Sequence, residues 1–240
     1  MSIVLITGAA AGLGEGIARA FAAQGARLVL GDIAATPLET LANTLGADCV
    51  TMVGDVADPA YAEALVELAV DRFGGLDTAI NNAGIVHDPA FLPDIPQATA
   101  RRVVEVNLLG VLWAMQAQIR VMKTGQIVNI ASVAGLSGAP TLAAYGAAKH
   151  GVVGLTRTAA LENARRGIRV NAVCPSFART AMAGEAQHSL AHEAEMTRGI
   201  PMRRLASIEE VVKAVMWLAD PANSFVTGQV IGVDGGLGAI

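Results

Sequence analysis

Short runs of apolar, mostly β-branched residues alternate with longer stretches of helical periodicity along the whole chain. The short runs predict seven strands, which cover residues 3–7, 27–32, 49–55, 76–84, 125–132, 168–175 and 228–236. The longer stretches predict helices at about residues 12–24, 36–46, 58–73, 97–122, 141–166 and 207–219. Continuous apolar strands that alternate with helices imply a parallel sheet covered on both faces. The pattern therefore predicts a doubly wound α/β fold with a seven-stranded parallel sheet, in a single domain over residues 1–240.

The carboxyl ends of the predicted strands carry polar residues. In an open parallel sheet, ligands bind outside these ends, near the point where the strand order reverses. The polar residues there are Thr7, Asp32, Asp55, Asn81, Asn82, Ser132 and Ser176. After the sixth strand, residues 178–206 show little periodicity, and a long irregular segment at the ligand edge predicts a substrate lid.

Composition narrows the class of protein. Of the 240 residues, 53% are hydrophobic and 16% are charged, which favours a compact fold with a large core over a disordered chain. The formal net charge of −4 and the lack of a basic stripe argue against nucleic acid as a partner. No apolar run approaches the roughly 20 residues that span a bilayer, so no membrane partner is expected.

The N-terminal sequence and the cysteines bear on the compartment and on metal binding. The sequence MSIVLITGAA lacks the basic start of a signal peptide and leads into a strand and a glycine loop, so we interpret the protein as cytoplasmic. In a reducing compartment Cys49 and Cys174 are small hydrophobic thiols. Neither the cysteines nor the histidines have metal-ligand spacing, so no metal site is predicted.

A glycine-rich turn, TGAAAGLGEGIA, connects the first predicted strand to the first predicted helix. Gly8, Gly12 and Gly14 would let backbone N–H groups, including that of Leu13, approach a pyrophosphate at the positive end of the helix. A plain tight turn explains the same glycines. The position between a strand and a helix favours the nucleotide-binding interpretation.

Asp32 ends the second strand, close to the roughly 20-residue spacing at which an acidic side chain binds the ribose of a dinucleotide. A carboxylate accepts a hydrogen bond from the 2′-hydroxyl of NAD and repels the 2′-phosphate of NADP. Ala11, before the second glycine, and Ile33, after the aspartate, supply no cation for a phosphate. We therefore predict NAD as the cofactor. The alternative is that Asp32 only caps the next turn.

Asp55 ends the third predicted strand and is a candidate partner for the amino group of adenine. The backbone of the next residue, Val56, would contribute to the same contact. A turn-forming aspartate is a nearly equal alternative.

A tyrosine and a lysine lie one helical turn apart in AAYGAAKHGVVG, a stretch otherwise rich in Ala, Gly and Val. Side chains at i and i+4 of a helix are neighbours. An ammonium about 4 Å from a phenol, at an effective dielectric constant near 20, would stabilise the phenolate by roughly 4 kcal/mol and lower its pKa by about three units. We therefore expect Lys149 to lower the pKa of Tyr145 toward neutrality, where a general acid/base works best.

Taken together, these motifs resemble the short-chain dehydrogenase/reductase family. The resemblance rests on the TGxxxGxG pattern, NNAG at residues 81–84, Ser132, YGAAK at residues 145–149 and a C-terminal TGQVIGVDGG, and it covers essentially the whole chain. It implies the single-domain branch of the family, with a Rossmann-type fold. It also implies that hydride passes between a secondary alcohol and a nicotinamide.

The resemblance implies a catalytic set of four residues, which are Asn107, Ser132, Tyr145 and Lys149. Tyr145 would take the proton of the alcohol, and Ser132 would bind the substrate oxygen. Lys149 would stabilise the phenolate and hold the nicotinamide ribose, and Asn107 would hold a water that connects the lysine with solvent. The alternatives are that Ser132 caps a turn and that Asn107 is a satisfied buried amide.

The resemblance also implies cofactor contacts beyond the glycine loop. The candidates lie at or just after the ends of the fourth and sixth predicted strands, and they are Asn82, Ala83, Gly84, Pro175, Ala178 and Thr180. Asn81 is interpreted as mainly structural. Ser176 stands where the family has a glycine, which bears on local backbone shape and substrate fit but not on the reaction type.

The candidate substrate-pocket residues are mostly apolar, and they are Val86, Ala134, Leu142, Phe177, Met182 and Leu190. They favour an uncharged secondary alcohol or ketone, for example a cyclic one, over a small acid. One alternative is an NADPH-dependent 3-oxoacyl thioester reductase, against which Asp32 and Ala11 argue. Another is a non-catalytic NAD-binding sensor, against which the catalytic set argues.

The two longest predicted helices suggest that the chain has a partner subunit. Residues 97–122 and 141–166 carry apolar or small residues on more than one face, which one sheet cannot cover. The resemblance implies a homotetramer. The other expected partner is the small-molecule alcohol or ketone.

Overall fold

The seven predicted strands form one parallel sheet. The computed structural model describes residues 1–46, 48–176 and 197–239. Its strands are β1 (Ile3–Thr7), β2 (Arg27–Asp32), β3 (Cys49–Val53), β4 (Thr78–Asn81), β5 (Gly125–Ile130), β6 (Ile168–Pro175) and β7 (Val230–Val233). Their order is β3-β2-β1-β4-β5-β6-β7, and every neighbouring pair is parallel. The predicted doubly wound α/β fold is confirmed.

The helices lie close to their predicted positions, with one interruption. They are α1 (Gly12–Ala23), α2 (Ala35–Leu45), α3 (Pro59–Phe73), α4 (Gln97–Val104), α5 (Gly110–Val121), α6 (Ala143–Asn163) and α7 (Ile208–Ala219). The helix predicted over residues 97–122 contains a turn of π-helix, Glu105–Leu109, between α4 and α5. Among the helices of the described ranges, none is both long and apolar enough to cross a membrane.

Four strands are shorter than predicted. β3 ends at Val53 and β5 ends at Ile130, each two residues before its predicted end. β4 ends at Asn81, because the backbone N–H groups of Asn82 and Ala83 donate to the Thr7 hydroxyl instead of continuing the ladder. β7 is flanked by glycines with positive φ, 72° at Gly228 and 62° at Gly235. This left-handed conformation is incompatible with a strand.

The core has two layers, one on each face of the sheet. Val4 and Ile6 of β1 pack with α1 and α7 on one face, whereas Ile3 and Leu5 pack with α3, α5 and α6 on the other. Since successive strand residues point to opposite faces, burial on both sides explains the continuous apolar runs in the sequence.

The strand order reverses next to β1. From β1 the chain adds β2 and β3 on one side and β4 to β7 on the other. The carboxyl ends of β1 and β4 therefore border the crevice in which an open α/β sheet binds its ligand.

Candidate active site

The glycine loop between β1 and α1 is shaped by close backbone contacts. Gly8 and Gly12 have φ of 65° and 58°, which side chains rarely adopt. A Cβ at Gly8 would lie 2.7 Å from the Cα of Ala83, and a Cβ at Gly14 would overlap the carbonyl oxygen of Gly8. These glycines are thus required for the turn itself.

Thr7 and Asn82 fasten this loop to the end of β4. The Asn82 amide donates to the carbonyl oxygens of Thr7 (3.1 Å) and Gly8 (2.9 Å). The Thr7 hydroxyl accepts from the backbone of Asn82 (3.1 Å) and Ala83 (3.2 Å). Asn82 and Ala83, predicted as cofactor contacts, therefore hold the loop in shape; their contact with a cofactor stays a prediction. The loop-fastening function of Thr7 was not predicted from the sequence.

Asp32 connects the end of β2 to the glycine loop. One carboxylate oxygen accepts from the backbone of Ala10 and the other from that of Ala34, both at 2.9 Å. The turn-capping alternative thus describes part of its function. Because a carboxylate has about four acceptor sites, two remain for a ribose hydroxyl. The neighbouring Ile33 side chain is exposed.

Asp55 has a partner that the sequence analysis missed. Its carboxylate accepts from the backbone of Ala57 at 3.0 Å, as a turn-forming aspartate does. Its other oxygen binds the guanidinium of Arg102, on α4, at 2.6 Å. The next residue, Val56, packs against Gly110, where a Cβ would lie 3.0 Å from the Val56 carbonyl oxygen.

Ser132 and Tyr145 come together at the carboxyl end of β5. Ser132 caps the 3₁₀ turn Val133–Gly135, and its hydroxyl accepts from the backbone of Ala134 at 3.2 Å. Tyr145 lies in the first turn of α6, where the Ser132 side chain is near enough to lower the pKa of the phenol. Ser132 is therefore both a cap and a neighbour of the phenol.

Lys149 is buried beside Tyr145, but it does not act on the phenol as expected. Its Nζ donates to the carbonyl oxygen of Ile130 at 2.8 Å and lies 5.6 Å from the centre of the Tyr145 ring. Burial lowers the pKa of Lys149 to about 8. Burial raises the pKa of Tyr145, and the nearby Ser132 side chain offsets this only in part.

The expected lowering of the Tyr145 pKa by Lys149 is therefore wrong for the protein without cofactor. The prediction assumed a partly solvated pair about 4 Å apart. Instead, loss of solvation disfavours the phenolate, and the ammonium is directed at a backbone carbonyl.

Asn107 lies in the π turn and is fully buried. Its amide donates to the carbonyl oxygens of Ile85 (2.8 Å) and Val103 (2.9 Å) and accepts from the backbone of Ile85 (3.1 Å). A Cβ at Gly84 would lie 2.6 Å from Asn107 Oδ1 and 3.5 Å from Lys149 Nζ, so this glycine lets Asn107 and Lys149 approach one another. Both amide hydrogens are used, so a relay water would have to donate to an oxygen of Asn107.

Asn81 belongs to a buried amide network beneath the site. It exchanges hydrogen bonds with Gln118 (2.8 and 3.2 Å) and donates to Asn129 (2.8 Å), which in turn donates to Thr156 (2.9 Å). The network joins β4, β5, α5 and α6, in agreement with the structural interpretation of Asn81. Gln118 and Thr156 carried no sequence signal, because isolated polar residues in helices are common.

Several predicted positions lie after β6. Pro175 ends that strand, and the backbone of Ser176 donates to the carbonyl of Val233 at 3.1 Å. Ala178 and Thr180 lie outside the described residues, as do the pocket candidates Phe177, Met182 and Leu190 and most of the predicted lid at 178–206. Of the other pocket candidates, Val86 is exposed, Leu142 is partly exposed and Ala134 is buried.

No group of three or more His, Cys, Asp or Glu side chains suited to a metal occurs within the described ranges. His87 is buried: its Nδ1 donates to the carbonyl of Asp88 at 2.8 Å, and its Nε2 has no hydrogen-bond partner among the described residues. His150 contacts the carbonyl of Gly146. His188 and His192 lie outside the described residues.

Known proteins match this chain along its whole length. The family model described as enoyl-(acyl carrier protein) reductase matches residues 8–238. A 3-oxoacyl-[acyl-carrier-protein] reductase of Thermotoga maritima is 41% identical over 241 residues, covering 98% of this chain and 97% of its own. A cyclohexanol dehydrogenase of Acinetobacter sp. (strain SE19) is 39% identical over 239 residues, covering 97% and 93%.

A solved structure has the same fold. The crystal structure of 3-ketoacyl-(acyl-carrier-protein) reductase from Brucella melitensis complexed with NADH is 33% identical and matches with a TM-score of 0.92. The match covers 99% of this chain and 98% of that one. The similar proteins thus act on different substrates, from acyl thioesters to a cyclic alcohol.

Proposed function

Because this chain belongs to the short-chain dehydrogenase/reductase family, we propose that it is an NAD-dependent enzyme that interconverts an uncharged secondary alcohol and its ketone. Family membership implies an oxidoreductase with a nicotinamide cofactor. The observation that carries the proposal is the grouping of Tyr145, Ser132 and Lys149 at one strand end, with Lys149 Nζ 5.6 Å from the centre of the Tyr145 ring and the Ser132 side chain near the phenol. A phenol beside a hydroxyl and a buried amine suits proton exchange with an alcohol oxygen.

The glycine loop and Asp32 fit a dinucleotide. Side chains are excluded at Gly8 and Gly14, so a pyrophosphate would meet backbone N–H groups and the positive end of α1. Asp32 would accept from the ribose, and the other cofactor contacts would come from Leu13, Ile33, Asp55, Val56, Asn82, Ala83, Gly84, Tyr145, Lys149, Pro175, Ala178 and Thr180. The bound nicotinamide supplies the site that accepts or gives hydride.

The chain's own residues handle the proton. Ser132 donates a hydrogen bond to the substrate oxygen. When an alcohol is oxidised, Tyr145 Oη takes the hydroxyl proton as its own phenol proton passes on toward Lys149, and when a ketone is reduced both protons move in the opposite direction. Lys149, with a pKa near 8, changes its protonation state close to neutral pH and serves as the next proton acceptor. Asn107 holds the backbone of Ile85 and positions the π turn next to Lys149.

The cofactor preference is argued from charge. Asp32 would repel a 2′-phosphate, and neither Ala11 nor Ile33 offers it a cation. The similar reductase from Brucella melitensis was crystallised with NADH, which supports NAD without deciding between the substrates.

Two observations support an uncharged secondary alcohol as the substrate: the apolar side chains near the site and the similarity to a cyclohexanol dehydrogenase. Val86 and Leu142 are apolar and at least partly exposed, and a cyclohexanol dehydrogenase is 39% identical. The second candidate is an NADPH-dependent 3-oxoacyl thioester reductase, favoured by the 41% identity to the Thermotoga maritima enzyme. A sensor that binds NAD without turnover is a weaker candidate, because it has no need of a buried Tyr–Lys pair.

We further propose a cytoplasmic homotetramer with residues 178–206 as the substrate lid. Large apolar side chains are exposed on α6 (Leu161), on α7 (Trp217) and at Phe225, and subunit contacts would cover them. Sedimentation of the purified protein as a monomer would contradict the assembly.

The proposal is tested by measuring nicotinamide absorbance with a panel of substrates, with NAD(H) and NADP(H) side by side. We expect oxidation of cyclohexanol and other secondary alcohols with NAD. Preferential reduction of an acetoacetyl thioester with NADPH would establish the second candidate. Saturable NAD binding without turnover of any substrate would favour the sensor.

A further inference from the structure

We propose that Arg102 is a positioning residue for the adenine of the cofactor and acts by fixing the carboxylate of Asp55. The inference rests on the proposed function only in requiring an adenine dinucleotide. It adds a residue on α4, far along the sequence from the glycine loop, to the adenosine end of the site.

Asp55 lies beside Asp32 at the edge of the sheet. β2 and β3 are paired so that Asp32 is opposite Val53, two residues before Asp55. The first aspartate is placed to bind the ribose, so the second lies where the base of the same nucleoside would extend over the neighbouring strand.

Two contacts fix the Asp55 carboxylate. The Ala57 backbone holds one oxygen at 3.0 Å, and Arg102 holds the other at 2.6 Å. The turn alone fixes only one oxygen, so the carboxylate would rotate without the arginine. Since a carboxylate has about four acceptor sites, two remain for a ligand that donates a hydrogen bond.

The two free acceptor sites of the Asp55 carboxylate favour adenine over hypoxanthine. The 6-amino group of adenine donates hydrogen bonds, whereas hypoxanthine has a carbonyl oxygen there, which a carboxylate repels. A fixed carboxylate discriminates between the two bases more strongly than a rotating one, because less ordering is required on binding.

The ion pair itself is a weak candidate for a purely stabilising function. The side chains of Arg102 and Asp55 are 42% and 36% exposed, and exposed ion pairs contribute little to folding. Arg101, the preceding residue, is exposed and supplies a matched control, since its substitution removes the same charge from the same helix.

The test is a fluorescence titration of NADH and of reduced nicotinamide hypoxanthine dinucleotide with the wild-type protein, Arg102→Met and Arg101→Met. We expect the wild type to bind NADH about tenfold more tightly than the hypoxanthine analogue, because the analogue lacks one hydrogen bond to a charged group. In Arg102→Met this ratio should fall to about two- to threefold, while Arg101→Met keeps it.

Further measurements separate positioning from folding. Binding of reduced nicotinamide mononucleotide, which lacks the adenosine, should be the same in all three proteins. Arg102→Lys, which keeps the charge, should restore part of the ratio. If Arg102→Met does not fold, Asp55→Asn is titrated in its place and should likewise lose most of the ratio.

An unchanged ratio in Arg102→Met, or equal losses for both bases, would overturn the inference. Failure of the proposed cofactor preference would be distinguishable: if the wild type binds NADPH and not NADH, the same titrations are made with NADPH and its hypoxanthine analogue, because both cofactors carry adenine.

Discussion

The two ends of the candidate site hold their polar residues in different ways. The adenosine end comprises the glycine loop, Asp32 and Asp55, and the catalytic end comprises Asn107, Ser132, Tyr145 and Lys149. At the adenosine end, Asp32 and Asp55 stay partly exposed, and each is oriented by a backbone N–H group of an adjacent turn. At the catalytic end, Lys149 and Asn107 are buried and directed at backbone carbonyls. In the proposed function, the first end selects a ligand by charge and shape. At the second end, the exclusion of water shifts the pKa values of the buried groups.

The largest effect is expected from a substitution that disables the catalytic end and leaves the adenosine end unchanged. Tyr145→Phe removes the proton-exchanging hydroxyl and keeps the ring, so we expect turnover to fall on the order of 10³-fold. The dissociation constant of NADH should change by less than about threefold, since most cofactor contacts lie elsewhere. Steady-state kinetics and a binding titration check this, and a variant that kept most of its turnover would remove Tyr145 from its assigned function.

The next largest effect is expected from a substitution that changes the adenosine end and leaves the catalytic end unchanged. Asp32→Asn removes the charge and keeps an acceptor for the backbone of Ala10 or Ala34. We expect the ratio of kcat/KM for NAD over NADP to fall at least about tenfold, because repulsion of the 2′-phosphate is lost. Asp71→Asn, on the exposed face of α3, makes the same change in net charge and should leave the ratio as it is. A ratio that moved equally in both variants would point to general electrostatics.

The two ends also differ in how far the sequence predicted them. The glycine loop and Asp32 are local features, in which residue type and spacing carry the geometry. The π turn at Asn107 escaped prediction because EVNLL continues the helical periodicity of its flanks. The Asp55–Arg102 pair joins residues distant in sequence, and the raised pKa of Tyr145 depends on burial by the whole fold. Patterns along the chain therefore predicted the fold and the candidate site residues. They did not predict that Tyr145 and Lys149 are buried away from water, which shifts the pKa values of both groups.

A smaller effect concerns how the turn after β5 packs on α6. A Cβ at Gly135 would lie 2.7 Å from the backbone oxygen of Lys149, so Gly135→Ala must move the Ser132 turn away from α6. We expect turnover to fall about tenfold and stability to fall by about 1–3 kcal/mol. Gly138→Ala, in the same connection, meets open space and should change neither. Equal behaviour of the two variants, by kinetics and urea unfolding, would show that the turn adapts without moving Ser132.

The smallest effect is a pH dependence of stability that comes from the buried ammonium. Burial lowers the pKa of Lys149 from 10.5 to about 8, so between these values the unfolded chain binds a proton that the folded protein lacks. Lys149 should therefore contribute a rise in the free energy of unfolding with pH above about 8, of about 1 kcal/mol between pH 8 and 9.

Groups with the opposite sign begin to titrate in the same pH window. Burial raises the pKa of Cys49 and Cys174 from 9.0 to about 11, so each thiol lowers the free energy of unfolding by about 0.35 kcal/mol between pH 8 and 9. Burial also raises the pKa of Tyr145 from 10.0, which acts mainly above pH 9. A variant without Lys149 keeps these opposing groups and therefore isolates the contribution of the lysine. Urea unfolding of the wild type and of Lys149→Met at pH 8 and 9 checks the sign. The free energy of unfolding of the wild type should rise by about 1 kcal/mol relative to that of the variant from pH 8 to 9. An equal change in both proteins would leave Lys149 without its proposed change of charge near neutral pH.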